Sequence, residues 1–119
     1  MIGLKRQDVP PAIQTEGVEL RKQSLGTMSV AFVSAAAGTD LRPALKGLPG
    51  DLCQCPHWGY VLKGKVRMHT TSGHDDYEAG QAFYWSPGHA PEMLEDTEYV
   101  DFSPTEDFDK VISHIKRQP

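Results

Sequence analysis

The sequence predicts an all-β domain, a sandwich or barrel of short strands, followed by one C-terminal α-helix. Three observations carry that expectation. Between Val18 and Phe102, short runs rich in β-branched and aromatic residues recur, each ended by Gly, Pro or Asx turn residues. After Ser103 the apolar residues fall on a helical period. The chain has 119 residues, the length of one domain, and its 39% apolar residues together with 11 Gly are enough for one core.

Residues 1–17 combine polar side chains with Pro10 and Pro11 and show no sustained period, which reads as an N-terminal arm or edge segment docked on the domain. The barrel or sandwich then occupies 18–103. Val18 to Ser24 partly alternates, and Met28 to Ala36 is nearly continuous in apolar and small residues after the Gly26 break, so both read as strands. Gly38, Pro43, Gly47, Pro49 and Gly50 make the next stretch an irregular loop. Cys53 to Leu62 and Val66 to Thr71 are β-rich, and Lys63-Gly64-Lys65 between them predicts a hairpin. A second turn is expected at Ser72-Gly73-His74-Asp75. Short strands follow at Asp76 to Ala79, Ala82 to Trp85, Glu92 to Glu95 and Tyr99 to Phe102. The helix occupies 104–119: Phe108, Val111, Ile112 and Ile115 form one stripe, with Ser103 expected as N-cap, Pro104 at the first helical position and Glu106 completing a capping box.

Composition narrows the function. Twelve Lys and Arg against sixteen Asp and Glu give a net charge of −4, and no basic block tracks a phosphate backbone, so nucleic acid is not an expected partner. No apolar run is long enough to span a bilayer, and the start lacks a signal-peptide core; a cytoplasmic protein without membrane contact is expected. Cys53 and Cys55 stand too close for a useful disulfide and read as ligands or thiols.

The segment Cys53-Gln54-Cys55-Pro56-His57 carries the chemistry. If extended, it sets Cys53, Cys55 and His57 on one face at intervals of about 7 Å, and Pro56 introduces an irregularity that lets them converge. Thiolates with imidazole suit zinc first, with iron, nickel or copper as alternatives. The competing reading makes the cysteines small hydrophobes and His57 a hydrogen-bonded core residue. Asp51 reads as a loop residue. Glu92 and Glu95 are candidate general bases, while His69, His74 and His114 read as hairpin, turn and helix residues.

In these residues the chain resembles the cupins, whose first motif runs Gly-x5-His-x-His-x3or4-Glu-x6-Gly and whose second runs Gly-x5-Pro-x-Gly-x2-His-x3-Asn. Tyr60-Val61-Leu62-Lys63-Gly64-Lys65-Val66 looks like the end of the first motif, and Gly80, Pro87 and Gly88 look like the second; the resemblance covers roughly residues 28–102. It implies a cupin-like double-stranded β-helix, or jelly-roll, barrel with a C-terminal helix. The ligand positions depart from the pattern. Counting back from Gly64, the motif glutamate falls on His57 and the histidines on Asp51 and Cys53, or on Gly50 and Leu52. Counting on from Gly80, the motif histidine falls on Pro91 and the asparagine on Glu95, with His89 two residues ahead of the histidine slot. An offset of two keeps the same strand face, so His89 still points inward.

The expected site is therefore a divalent metal held by Cys53, Cys55 and His57, joined by His89, in the barrel mouth where cupins place their metal. Three ligands plus water would be an open, catalytic centre; four would close it. The expected functions are a metal-dependent enzyme on a small organic molecule, a non-catalytic small-ligand or metal- and redox-sensing module, or a structural metal site. Trp58-Gly59-Tyr60-Val61-Leu62 lacks a polar face, so both sides of that strand should be covered. The resemblance implies a homodimer as one such cover.

Overall fold

Alternation decides which side chains enter the core. In the computed structural model, which describes residues 1–118, the chain forms β1 (Pro11–Thr15), β2 (Val18–Leu25), β3 (Met28–Ala35), β4 (His57–Lys63), β5 (Lys65–Thr70), β6 (Gly73–Glu78), β7 (Ala82–Trp85), β8 (Ala90–Met93), β9 (Thr97–Pro104) and α1 (Thr105–Lys116). Thr97, Tyr99, Asp101 and Ser103 of β9 point inward, and Ala31, Val33 and Ala35 of β3 do the same. All pairings are antiparallel: a six-stranded sheet in the order β1-β2-β3-β9-β4-β7 and a three-stranded sheet in the order β6-β5-β8. The core lies between their inner faces, where Val61, Phe83, Trp85 and Tyr99 meet Val66, Met68 and Met93. The punctuated strands predict such a sandwich or barrel, and its jelly-roll-like form is the one the resemblance implies.

The segment 1–17 contributes more than an arm. β1 pairs with β2 as the edge of the large sheet, and a 3-10 turn at Arg6–Asp8 precedes it. Arg6 holds that turn to the outer face through Glu19 and Glu98 at 3.1 and 2.8 Å.

Two local expectations are corrected. Lys63-Gly64-Lys65 is not a hairpin, because β4 pairs with β7 and β9 while β5 pairs with β6 and β8. At Gly64 the chain crosses from one sheet to the other. Its φ of 84° is left-handed, and a Cβ there would lie 2.2 Å from the Asp96 carbonyl oxygen, so only glycine fits. The hairpin is instead β5–β6, whose turn precedes Gly73, so Gly73, His74 and Asp75, expected in a turn, are strand residues paired with β5.

Ser103 is not the helix N-cap. β9 runs on to Pro104, which takes the cap position without a side-chain hydrogen bond, and Ser103 pairs with Ser29 inside the sheet. Its hydroxyl is used by a histidine on β4, so no capping box forms. The apolar stripe of α1 is as expected, with Phe108, Val111 and Ile112 buried.

The outer face of β4 is not covered from within the chain. Trp58, Tyr60 and Leu62 are exposed, together with Tyr84 of β7 and Phe102 of β9. Neither the N-terminal segment nor α1 covers them.

Candidate metal centre

The centre is built by cross-strand register. His57, the first residue of β4, faces Trp85 of β7 on one side and lies beside Ser103 of β9 on the other. One row further along the sheet, Gly59 and Ala31 flank Asp101, so two small residues leave room for its carboxyl group.

Cys53 reaches the same place by a different route. The segment Cys53 to Pro56 is not strand, as Pro56 suggested; it bends, and the Cys53 Sγ ends 3.7 Å from His57 Nε2. An extended chain would hold residues four apart at roughly 13 Å. The bend is fixed by an isolated antiparallel bridge between Cys53 and His89, in which the Cys53 N–H donates to the His89 carbonyl at 2.8 Å and the His89 N–H donates back at 3.2 Å. That bridge brings His89, from the loop before β8, onto the Cys53 side chain.

Three of the four expected ligands therefore converge. One ligating atom each from Cys53, His57 and His89 lies within 4.8 Å of the others, and all three residues are buried. Cys55 is buried nearby, but its sulfur lies outside this group, and its thiol donates to the Pro56 carbonyl at 3.4 Å. Asp51 closes the preceding loop by accepting the Gly47 N–H at 2.9 Å. Glu92 lies on the outer side of the small sheet, bonded to His69 at 2.8 Å, and Glu95 is exposed; neither general-base candidate faces the centre.

The donor set fits a divalent metal. His57 Nδ1 is hydrogen-bonded to the Ser103 hydroxyl at 2.5 Å, and His89 Nδ1 donates to the Ser86 carbonyl at 2.6 Å. The Ser103 hydroxyl donates to Asp101, so His57 Nδ1 is the donor to Ser103 and both Nδ1 atoms carry the ring proton, which leaves each Nε2 a lone pair. Tetrahedral zinc, with bonds of about 2.3 Å to sulfur and 2.0–2.1 Å to nitrogen, holds its donors roughly 3.5 Å apart, close to the Cys53–His57 separation.

Protonation states agree. Burial pushes the His57 imidazole down to about 3, with the neighbouring His89 adding to it, and burial lowers His89 against its bond to Ser86. Both rings are neutral at pH 7, as metal ligands must be. Burial raises the Cys53 thiol to about 12, so without a cation it stays protonated. Burial also pushes the Cys55 thiol up.

Asp101 and Ser103 also contact the cluster, and the motif spacing does not point to them. Asp101 lies 3.7 Å from His57 Nδ1 and accepts the Ser103 hydroxyl at 3.4 Å, and burial raises its carboxyl to about 7. Because His57 is neutral, the two do not form an ion pair. Their signal in the sequence is the inward alternation Thr97, Tyr99, Asp101, Ser103.

A cavity of about 60 Å³ adjoins the cluster, lined by Trp85, Tyr99 and Asp101 and, from α1, by Phe108, Val111 and Ile115. The Phe108 ring stands edge-on to His57 at 5.4 Å. A wider depression of about 570 Å³ lies on the open surface beside Arg6, Lys63 and Glu98, away from the cluster.

Known structures share this architecture. An ectoine synthase from P. lautus aligns at a TM-score of 0.65 with 14% identity, over 92% of this chain and 86% of its own. An RmlC-like cupin from Shewanella frigidimarina gives 0.62 at 14% identity, covering 88% and 93%. The fold is that of the cupins. KdgF from Halomonas sp. aligns at a TM-score of 0.60 and 20% identity, over 84% of this chain and 90% of its own. No family model matches the sequence, and no curated protein does. The resemblance read from Gly64, Gly80 and Gly88 is thus met by the cupin fold itself.

Proposed function

We propose that this cupin-fold protein binds one divalent metal, zinc first, through Cys53, His57 and His89, and that it is a metal-dependent enzyme on a small molecule. The observation that carries the reading is the pair of tethered imidazoles whose free Nε2 atoms share a buried pocket with the Cys53 sulfur. A metal with three protein ligands supplies a Lewis acid for an oxygen atom at its open position. The protein's own groups do the rest. Ser103 and the Ser86 carbonyl orient the two rings, Cys53 gives up its proton on loading, and Phe108 of α1 packs edge-on against His57. Asp101, with its pKa near neutrality, is the group able to hold or release a proton beside the centre, in place of Glu92 and Glu95.

A module without turnover is the second reading, favoured by the size of the cavity: about 60 Å³, against roughly 300–1,000 Å³ for sites that take organic ligands. A thiol-based redox sensor has less support, because a thiol raised to about 12 is unreactive.

Metal analysis of protein purified without chelator, beside Cys53→Ala and His57→Ala, tests the assignment. Near-stoichiometric metal that is lost in both variants is the expected result. No metal in the native protein after reconstitution under reducing conditions would overturn it.

A second copy of the chain is the proposed cover for the exposed aromatic face. Trp58 sits opposite both Tyr84 and Phe102, so the patch is continuous across three strands. Four half-exposed aromatics and Leu62 offer roughly 400–500 Å², more than half of the ~800 Å² that each partner contributes to a stable interface. Light scattering should give a dimer for the native protein and a monomer for Trp58→Glu. Two free thiols suit the reducing cytoplasm, the compartment we propose.

A further inference from the structure

We infer that His69 and His74, facing each other across the β5–β6 hairpin, form a second, open metal site on the outside of the barrel, suited to a nitrogen-preferring divalent ion, copper(II) first and nickel(II) next. The site shares no residue with the barrel centre and is tested apart from it.

Register builds the site. The outer face of β5 and β6 carries three cross-strand pairs: Lys65 opposite Glu78, Arg67 opposite Asp76 and His69 opposite His74. The first two oppose unlike charges, and Arg67 closes on Asp76 at 2.9 Å. The third opposes two imidazoles, which repel once both are protonated. A metal ion turns that repelling pair into a pair of ligands. The hairpin loop is Thr71-Ser72, between the paired residues Thr70 and Gly73. A two-residue loop closes on a hydrogen-bonded pair, so the next pair, His69 with His74, is of the non-hydrogen-bonded kind, in which side chains stand closest. The two rings lie 5.8 Å apart, centroid to centroid.

Chemistry selects the ligating atoms. β5 lies between β6 and β8, so His74 stands on one side of His69 and Glu92 of β8 on the other. The Glu92 carboxylate accepts from His69 Nε2 at 2.8 Å, which fixes the ring proton there and leaves Nδ1 its lone pair. A carboxylate behind an imidazole also raises the basicity of the ligating nitrogen. His74 is exposed near the hairpin end and open to incoming ions. The nearby cations are already paired, Arg42 with Asp40 and Arg67 with Asp76. Two imidazole nitrogens and two water oxygens suit tetragonal copper(II) or nickel(II), whereas the thiolate and imidazoles of the barrel suit tetrahedral zinc. With two protein ligands and no thiolate, the outer site exchanges its ion with solvent, so the metal content of purified protein reports the barrel centre.

The test titrates copper(II) into tag-free, zinc-loaded protein and follows the ring resonances of all five histidines. His57 and His89 report the barrel, His69 and His74 the outer pair, and His114 of α1 a single surface imidazole. Paramagnetic broadening should strike His69 and His74 together and first. His74→Ala should weaken copper(II) binding about tenfold or more, the loss expected when a chelating pair becomes one ligand, and His114→Ala should leave it unchanged.

The outcomes separate the two sites. Broadening of His114 at the same copper(II) concentration as His69 and His74 would overturn the outer site, as would an unchanged affinity in His74→Ala. Broadening of His57 and His89 ahead of the outer pair would overturn it as well. A protein that takes up no zinc fails the barrel reading alone, because His69 and His74 are still read against His114.

Discussion

Two clusters in this barrel use the same side chains to opposite ends. On the outer side of the small sheet, His69 bonds Glu92 at 2.8 Å, and Arg42 pairs with Asp40 at 2.8 Å, at side-chain exposures of 19–49%. Inside, His57, His89 and Asp101 have no cationic side chain beside them among the described residues, and burial drives the imidazoles and the carboxyl toward their neutral forms. Exposed ion pairs of the first kind contribute about 0–1 kcal/mol. The inner groups hold a cost that a bound cation can offset. Enclosure, not residue type, sets that cost.

The largest expected effect is the loss of metal. His57→Ala should lower metal content from near one per chain to below a tenth, measured by elemental analysis, while Cys55→Ala should keep most of it. Equal loss in both variants would bring Cys55 into the ligand set. Next, Phe108→Ala should destabilise the protein by about 3–5 kcal/mol in denaturant titration, since it removes a buried ring.

The third prediction concerns acidity in metal-free protein. His57, with its pKa depressed to about 3, contributes stability that is present above its unfolded pKa and is lost as pH falls from ~6.5 toward 3. Asp101, raised to about 7, acts in reverse: its contribution is intact below ~4 and is lost as pH rises to 7. Asp101→Asn removes the opposing member. Stability should then climb more steeply between pH 4 and 7 than in the native protein and exceed it at pH 7 by on the order of 1–3 kcal/mol. A slope unchanged by the substitution would contradict that account. The smallest effect belongs to the outer cluster: Glu92→Gln should change stability by less than about 1 kcal/mol, and a larger change would erase the contrast between the two clusters.

Legibility followed the range of the interactions. β2, β3, β5 and β7 were readable to within a residue because alternation and turn residues are local signals, as was the stripe on α1, whereas β4, β6 and β8 begin two to four residues away from where those signals put them. Lys63-Gly64-Lys65 misled because a positive-φ glycine serves a hairpin and a sheet crossing equally well; only the contact with Asp96 and Thr97 distinguishes them. Ser103 misled because its capping signal is local, whereas its bond to His57 spans two strands. Cys53, His57 and His89 were legible as ligand types, but their convergence depends on a backbone bridge that no spacing rule encodes. Asp101 was missed because an acidic residue in a strand reads as outward until the register of β9 is known. Nor did the apolar run at Trp58–Leu62 imply cover within one chain; its outer side chains remain exposed, Leu62 by 56%.

The bridge between Cys53 and His89 also sets when the centre can exist. It joins the loop before β4 to the loop before β8, with β4 through β7 between them, so both sheets must be in place before the bridge can close. Contacts of such long sequence separation form after local ones, because the chain entropy of closure must be met first. Metal uptake during refolding is then a clock for the final step: it should lag behind the recovery of β structure, and a truncated or half-folded chain should not acquire it.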